Sequence, residues 1–305
     1  MGLRGYLRPD WHIGIRNYIA IVFVGTASRY VAEKIAVRVP GAEVFGFDIL
    51  NDCLAVDKLS AAAMHPNVSA VMVVGSGLEG EVLDTLVQQV AINGKPVAQL
   101  RILAEGGTTR AIQKGVKEGL LLSQQAQQTQ LISVALADLI IGVVSDSETG
   151  EVLNPAVIWA MGRIVARKGT VLFAVKPSAA SLADAQMIAA GHRPTAPGVY
   201  WIDSPGSAGP KAAFSLLLQS GAHIIVEVTH KGSTSGSVVV PVMKIAAETA
   251  VYDKLSDDLD INAGYATNNI EAVFEIGQAI LEKLMDTASG APTQAEVLGH
   301  KEFWG

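Results

Sequence analysis

The stretch Tyr18-Ile19-Ala20-Ile21-Val22-Phe23-Val24-Gly25-Thr26-Ala27-Ser28 decides the fold class. Seven residues without a charge end in a glycine turn, and a segment of helical period follows at once. A strand that is apolar along its whole length is buried on both faces, and parallel sheets covered by helices bury strands that way. The same run recurs at Ala70 to Gly75, Leu139 to Val144, Thr170 to Val175 and His223 to Val228. Between these runs lie Ala/Leu/Lys/Glu segments of helical spacing, so the expected class is α/β, with two consecutive, mainly parallel α/β units of three-layer character.

In order, the pattern predicts strands over 18–24, 43–47, 69–75 and 97–102, alternating with helices over 27–38, 55–64, 79–93 and 107–128. After the polar, glutamine-rich segment from Ser123 to Ser133 come strands over 138–144, 170–175, 199–202 and 223–228, with helices over 154–167, 181–190, 209–220 and 270–288. The expected domains are therefore 1–128 and 129–305.

The chain has 305 residues, of which 50% are hydrophobic and 17% charged, which excludes a disordered chain. Its mean hydropathy of +0.34 raises the question of a membrane, but the apolar runs are only six to eight residues long, against about 18 for a spanning helix. Arg4, Arg8 and Asp10 precede any apolar stretch, so a cytoplasmic protein is expected. A formal charge of -6, with no basic cluster, speaks against nucleic acid as a partner. Cys53 is the only cysteine, so no internal disulfide can form.

In parallel α/β sheets, ligands gather beyond the carboxyl ends of strands. Four turns stand there: Gly25 to Ser28, Gly75 to Gly80, Ser145 to Gly150 and Thr229 to Gly236. Gly75-Ser76-Gly77-Leu78-Glu79-Gly80 fits the spacing of a dinucleotide turn, but no acid ends the next strand, and a tight turn with Glu79 near a helix start is the plainer reading. Thr229-His230-Lys231-Gly232-Ser233 places two cations among small residues, and its backbone amides with Lys231 are expected to cradle a carboxylate or phosphate; a surface loop is the alternative. Asp257, Asp258 and Asp260 offer oxygen donors for a hard cation, or a solvated acidic turn. Among the histidines, His230 is the candidate, since it directly follows a strand; His65 and His223 read as a helix-end and a core-edge residue.

Taken together, Gly5-Tyr6-Leu7-Arg8-Pro9-Asp10, Gly14-Ile15-Arg16-Asn17, His65-Pro66-Asn67-Val68, Gly77-Leu78-Glu79-Gly80, Ser145-Asp146 with Asn154-Pro155-Ala156, and Asp257-Asp258-Leu259-Asp260-Ile261-Asn262-Ala263-Gly264 resemble the motifs of the altronate and galactarate dehydratase family, in the same order over nearly the whole chain. The resemblance implies the family's second and C-terminal domains, and a hydro-lyase that removes water from a sugar acid, an aldonate or aldarate, to give a 2-keto-3-deoxy product. Glu79, Asp146 and His230 are then acid-base candidates, and Arg16, Asn17, Ser145, Asn154, Lys231, Gly232 and Ser233 bind the substrate carboxylate. The family also implies a divalent metal, iron or manganese. Ala27, Leu78 and Gly142 stand where it has cysteines, leaving Cys53 and Glu79 as metal candidates. The family's small N-terminal module is a separate subunit in some relatives, so a small partner subunit is expected, along with a homo-oligomer. The missing cysteines motivate an alternative, a metal-free homologue with a binding or regulatory role; a lyase of another hydroxy acid such as sulfolactate is the other.

Overall fold

The computed structural model describes residues 3–48, 53–146, 154–177, 184–203, 210–267 and 269–303. The chain divides into two compact units, Gly5–Ile132, and Ser133–Gly305 together with Met1–Arg4.

In the first unit, β1 (Leu3–Leu7) pairs antiparallel with β2 (Ile13–Gly14). Then β3 (Tyr18–Val24), α1 (Thr26–Ala36), β4 (Ala42–Phe47), α2 (Cys53–Met64), β5 (Val68–Gly75), α3 (Val82–Ile92), β6 (Val97–Arg101) and α4 (Thr108–Gln127) alternate along the chain. The four strands after β2 form a parallel sheet of order β4-β3-β5-β6. Side chains alternate across a strand. Ile19, Ile21, Phe23, Ala70, Met72 and Val74 meet Val31 and Ile35 of α1 and Ala111, Leu122 and Ala126 of α4. Leu83, Leu86 and Val90 of α3 are buried against the sheet, with Leu59 and Ala62 of α2. Burial of β5 is complete from Val68 to Gly75, which is why that run carries no alternation.

The second unit continues with β7 (Leu131–Val134), β8 (Ile140–Ser145), α5 (Pro155–Ala166), β9 (Thr170–Phe173), β10 (Gln186–Ala189), β11 (Gly198–Asp203), α6 (Pro210–Gln219), β12 (Ile224–Thr229), β13 (Val242–Ala246), α7 (Thr249–Tyr252), β14 (Ile261–Asn262), α8 (Ile270–Ala288) and α9 (Gln294–Leu298). Seven strands make a parallel sheet of order β10-β11-β9-β8-β12-β13-β14. Gly142 of β8 opens toward α6, where an added Cβ would lie 3.1 Å from Ala222 and 3.2 Å from Leu217. α5 starts on Asn154, whose Oδ1 accepts the Ala156 N–H at 2.9 Å, with Pro155 supplying a pre-set φ in the first turn.

Two readings of the sequence are corrected. The expected helix over 181–190 is, where described, the strand β10, an edge strand paired only with β11. Its residues are strong helix formers, and pairing overrides their propensity. The second difference is β13, not anticipated because Lys244 interrupts its apolar run. Among the described residues, no helix is long and apolar enough to cross a membrane.

Candidate functional site

Strand order reverses twice, once in each sheet. In the first unit the reversal falls between β3 and β5, in the second between β8 and β12. Such switch points open a crevice outside the carboxyl ends of the two strands. At the second of them, β8 ends in Ser145 and Asp146 and β12 in Thr229 and His230, with Ser145 in register with Val228.

Asp146 organises the loop that follows β12. Its Oδ1 accepts the His230 N–H at 2.6 Å, and its Oδ2 accepts the Thr229 hydroxyl at 2.6 Å and the Lys231 N–H at 3.2 Å. Burial works to raise the Asp146 carboxyl, but these hydrogen bonds and the neighbouring His230 hold it below its ordinary value. The Thr229 oxygen in turn accepts the N–H groups of Gly232 at 2.9 Å and Ser233 at 2.8 Å. Gly232 makes this turn possible at φ +84, where a Cβ would meet Leu255 at 2.5 Å.

The expected cradle of backbone amides is thereby corrected. The amides of residues 230 to 233 are engaged by Asp146 and Thr229, so they do not offer a ready cradle to an anion. Lys231 is exposed, and the His230 side chain keeps 24% of its surface, with Nδ1 3.4 Å from Asp146 Oδ1. That separation fits an ion pair, but the geometry leaves Nδ1 without a hydrogen bond.

Below the loop lie two residues outside the site candidates read from the sequence, of which Glu227 stood out there only as the acid nearest His230. Glu227 of β12 and Lys244 of β13 are register partners and pair through Oε2 and Nζ, with side chains 1% and 0% exposed. Lys244 Nζ also reaches Ser233 Oγ at 3.4 Å, tying the pair to the loop. Burial raises the Glu227 carboxyl, with Asp146 adding to the effect, against the pull of Lys244. From the other side, Glu302 accepts the Gly236 N–H at 2.8 Å, Phe303 N–H bonds Gly236 O at 3.0 Å, and Val238 N–H bonds Phe303 O at 2.9 Å. The legible signal was one charged residue in each of two neighbouring apolar runs.

The other predicted residues lie elsewhere. Ser147 to Gly150 fall outside the described residues, as does the side chain of Cys53. Asn154 is buried and engaged at both ends, capping α5 and donating Nδ2 to Ala263 O at 2.8 Å. Arg16 and Asn17 precede β3, whereas Glu79 follows β5. They occupy opposite ends of one sheet, and seven residues of strand separate them by roughly 20 Å, so one small ligand cannot touch both. Asn17 accepts from Arg8 at 2.7 Å and donates to Ala126 O at 2.8 Å. Glu79 folds back on its turn, accepting the Ser76 and Gly77 N–H groups at 2.8 Å each. Burial opposes ionisation there, but those bonds and the Ser76 side chain hold the carboxyl low.

The positions at which the resemblance expects cysteines do not suit a metal here. Ala27 and Leu78 are exposed carbon side chains, and Gly142 faces the apolar side of α6. Among the described residues, no group of three His, Cys, Asp or Glu side chains could hold an ion. The acidic run is engaged too: Asp260 accepts the Lys244 N–H at 2.9 Å and pairs with Lys283 at 3.2 Å, and Asp258 lies 3.3 Å from His300. A cavity of about 770 Å³ along α8, lined by Leu3, Arg167, Leu281 and Met285, contains none of the predicted residues.

The chain is an α/β protein with a polar cluster at the switch point of a parallel sheet, the place where such folds bind ligands. Residues 5–127 match the D-galactarate dehydratase/altronate hydrolase second domain, and residues 175–304 the D-galactarate/altronate dehydratase C-terminal domain. The chain belongs to this family. It is 22% identical to the (2R)-sulfolactate sulfo-lyase subunit beta of Chromohalobacter salexigens, over 98% of this chain and 95% of that protein. It is 30% identical to the galactarate dehydratase (L-threo-forming) of Escherichia coli, over 34% of this chain and 20% of that enzyme. Of solved structures, the NAD complex of a D-isomer specific 2-hydroxyacid dehydrogenase from Lactobacillus delbrueckii ssp. bulgaricus aligns over 90% of this chain and 98% of its own, at 13% identity and a TM-score of 0.18, too distant to bear on fold or function.

Proposed function

We propose that this chain is the large subunit of a lyase that eliminates a group from a hydroxy carboxylate, water from a sugar acid in the first instance, and works with a separate small subunit. The Asp146 clamp on the His230-Lys231 loop carries this reading. Lys231, as a point charge, holds the substrate carboxylate. His230 takes the proton from the carbon beside it, the electron pair becomes a carbon–carbon double bond, and the neighbouring C–O bond breaks. The departing hydroxyl leaves as water after gaining a proton, and the enol converts to a 2-oxo acid. Asp146 orients His230 and stays ionised. No step is routed through a metal, because the described donors do not make a site for one.

The likeness to a beta subunit supports the small partner, and its extent over both chains favours including (2R)-sulfolactate beside galactarate and altronate. The test is a coupled assay for the 2-oxo acid with the two subunits co-purified. His230→Gln and Lys231→Ala are each expected to lower turnover at least ~100-fold; undiminished turnover of a verified substrate overturns the assignment. Binding of these acids without any turnover favours the alternative of a non-catalytic homologue.

A further inference from the structure

We infer that the first α/β unit carries a second small-anion site, separate from the His230 loop, in which Arg8 anchors a carboxylate or phosphate group. A cavity of about 410 Å³ is lined by Arg8, Trp11, Ser69, Gln125, Gln128 and Thr129, within the size range of small-molecule sites. Arg8 is 3% exposed. It donates from Nε to Pro66 O at 2.6 Å, from Nη1 to Asn17 Oδ1 at 2.7 Å, and from Nη2 to Arg16 O at 2.6 Å. All three acceptors are neutral, and one N–H on each terminal nitrogen is left over from the five a guanidinium carries. The nearest acid in the sequence, Asp10, pairs instead with His12 at 3.0 Å.

A second buried cation stands behind the same wall. Lys95 is 3% exposed, and its neighbours Gly94 and Pro96 line the cavity. Its Nζ donates to His65 O at 2.7 Å and Ala63 O at 3.2 Å, at the carboxyl end of α2, which accounts for its place. Among the described residues no carboxylate pairs with Arg8, whose guanidinium carbon otherwise lies 5.6 Å from the centre of the Tyr6 ring. Burial brings its pKa down to about 10 despite Asp10 and Tyr6, as expected of a cation lacking a paired anion. An oxyanion in the cavity would supply that charge and accept the two remaining N–H groups in the bidentate manner suited to carboxylate and phosphate. Trp11 stands at the mouth, 81% exposed, on a backbone with φ 64 that non-glycine residues rarely adopt.

The test uses the full chain. Thermal unfolding is followed against inorganic phosphate and, separately, tartrate, with chloride at matched ionic strength as reference. A saturable stabilisation is expected, weakened at least tenfold by Arg8→Lys, which keeps the charge and loses the fork. Should Arg8→Lys not fold, Thr129→Trp, which fills the cavity and leaves residue 8 unchanged, decides. It is expected to abolish the response, while Lys231→Ala leaves it intact. The stronger of the two ligands identifies the source of the oxyanion. No response beyond chloride, a response that survives Thr129→Trp, or one lost in Lys231→Ala overturns the site.

Discussion

Replacing Lys244 by Met keeps the length of the side chain and removes the cationic partner of a carboxylate that is 1% exposed, leaving it the Ser233 hydroxyl. Removing one partner of a buried pair costs about 3–5 kcal/mol, and it pushes the Glu227 carboxyl further up, because less then opposes the effect of burial. Its direction with pH follows from linkage. Burial already raises Glu227 above its unfolded value, so its contribution to stability is present at low pH and lost as pH rises through the folded value. In Lys244→Met that window widens upward. The loss is therefore expected to be largest, about 3–5 kcal/mol, at the alkaline end of the range and to shrink as pH falls and Glu227 takes up a proton. Lys244→Met combined with Glu227→Leu is expected to return within about 1 kcal/mol of the parent, since no charge is left buried. Urea unfolding read by tryptophan fluorescence suits this unit, because Trp159 and Trp201 lie in it; Trp11→Phe silences the tryptophan of the other. A loss that does not vary with pH, or a double variant as unstable as the single one, would refute the reasoning.

Asp146→Asn is expected to loosen the loop at neutral pH and to make little difference in acid: a carboxyl held low stabilises above its unfolded pKa and loses that contribution as pH falls through the folded value. Amide exchange of residues 230 to 233, measured at two pH values, checks this. Asn154→Ala removes the cap of α5 and the bond to Ala263, with an expected loss of about 1–2 kcal/mol in the same urea assay. Elemental analysis by mass spectrometry is expected to find well under one iron or manganese per chain even in protein purified without oxygen; a full equivalent would place a metal site in residues beyond those described.

The sheets were legible because parallel strands such as Ala70 to Gly75 are apolar on both faces, and the glycine turns marked where they stop. The helix α8 was legible over its full span from its 3.6-residue periodicity. Segment 186–189 was not, since Gln186-Met187-Ile188-Ala189 has helix-forming residues and only the neighbouring β11 makes it a strand. Strand β13 hid for the opposite reason: Lys244 reads as a surface residue until Glu227 is seen beside it, and no local window contains both. At the site, His230, Lys231 and Asp146 could be chosen as polar residues just past strand ends, but their meeting depends on β8 and β12 being neighbours. Arg16 and Asn17, by contrast, were chosen from the family resemblance, and they flank a strand at its amino end. There the Asn17 side chain and the Arg16 backbone oxygen accept from Arg8.

The bond from Gly236 to Glu302 spans 66 positions, and this separation bears on how the protein is made. A ribosome adds roughly 5–20 residues per second, so Glu302 is polymerised about 3–13 s after Gly236. Through that interval the strands of the second sheet can already pair, while the segment bearing His230 lacks the downstream strap that fastens it. Complete fastening of the loop is thus a late event of biosynthesis, and nascent chains stalled ahead of residue 302 would carry the Asp146 clamp without the strap from Glu302.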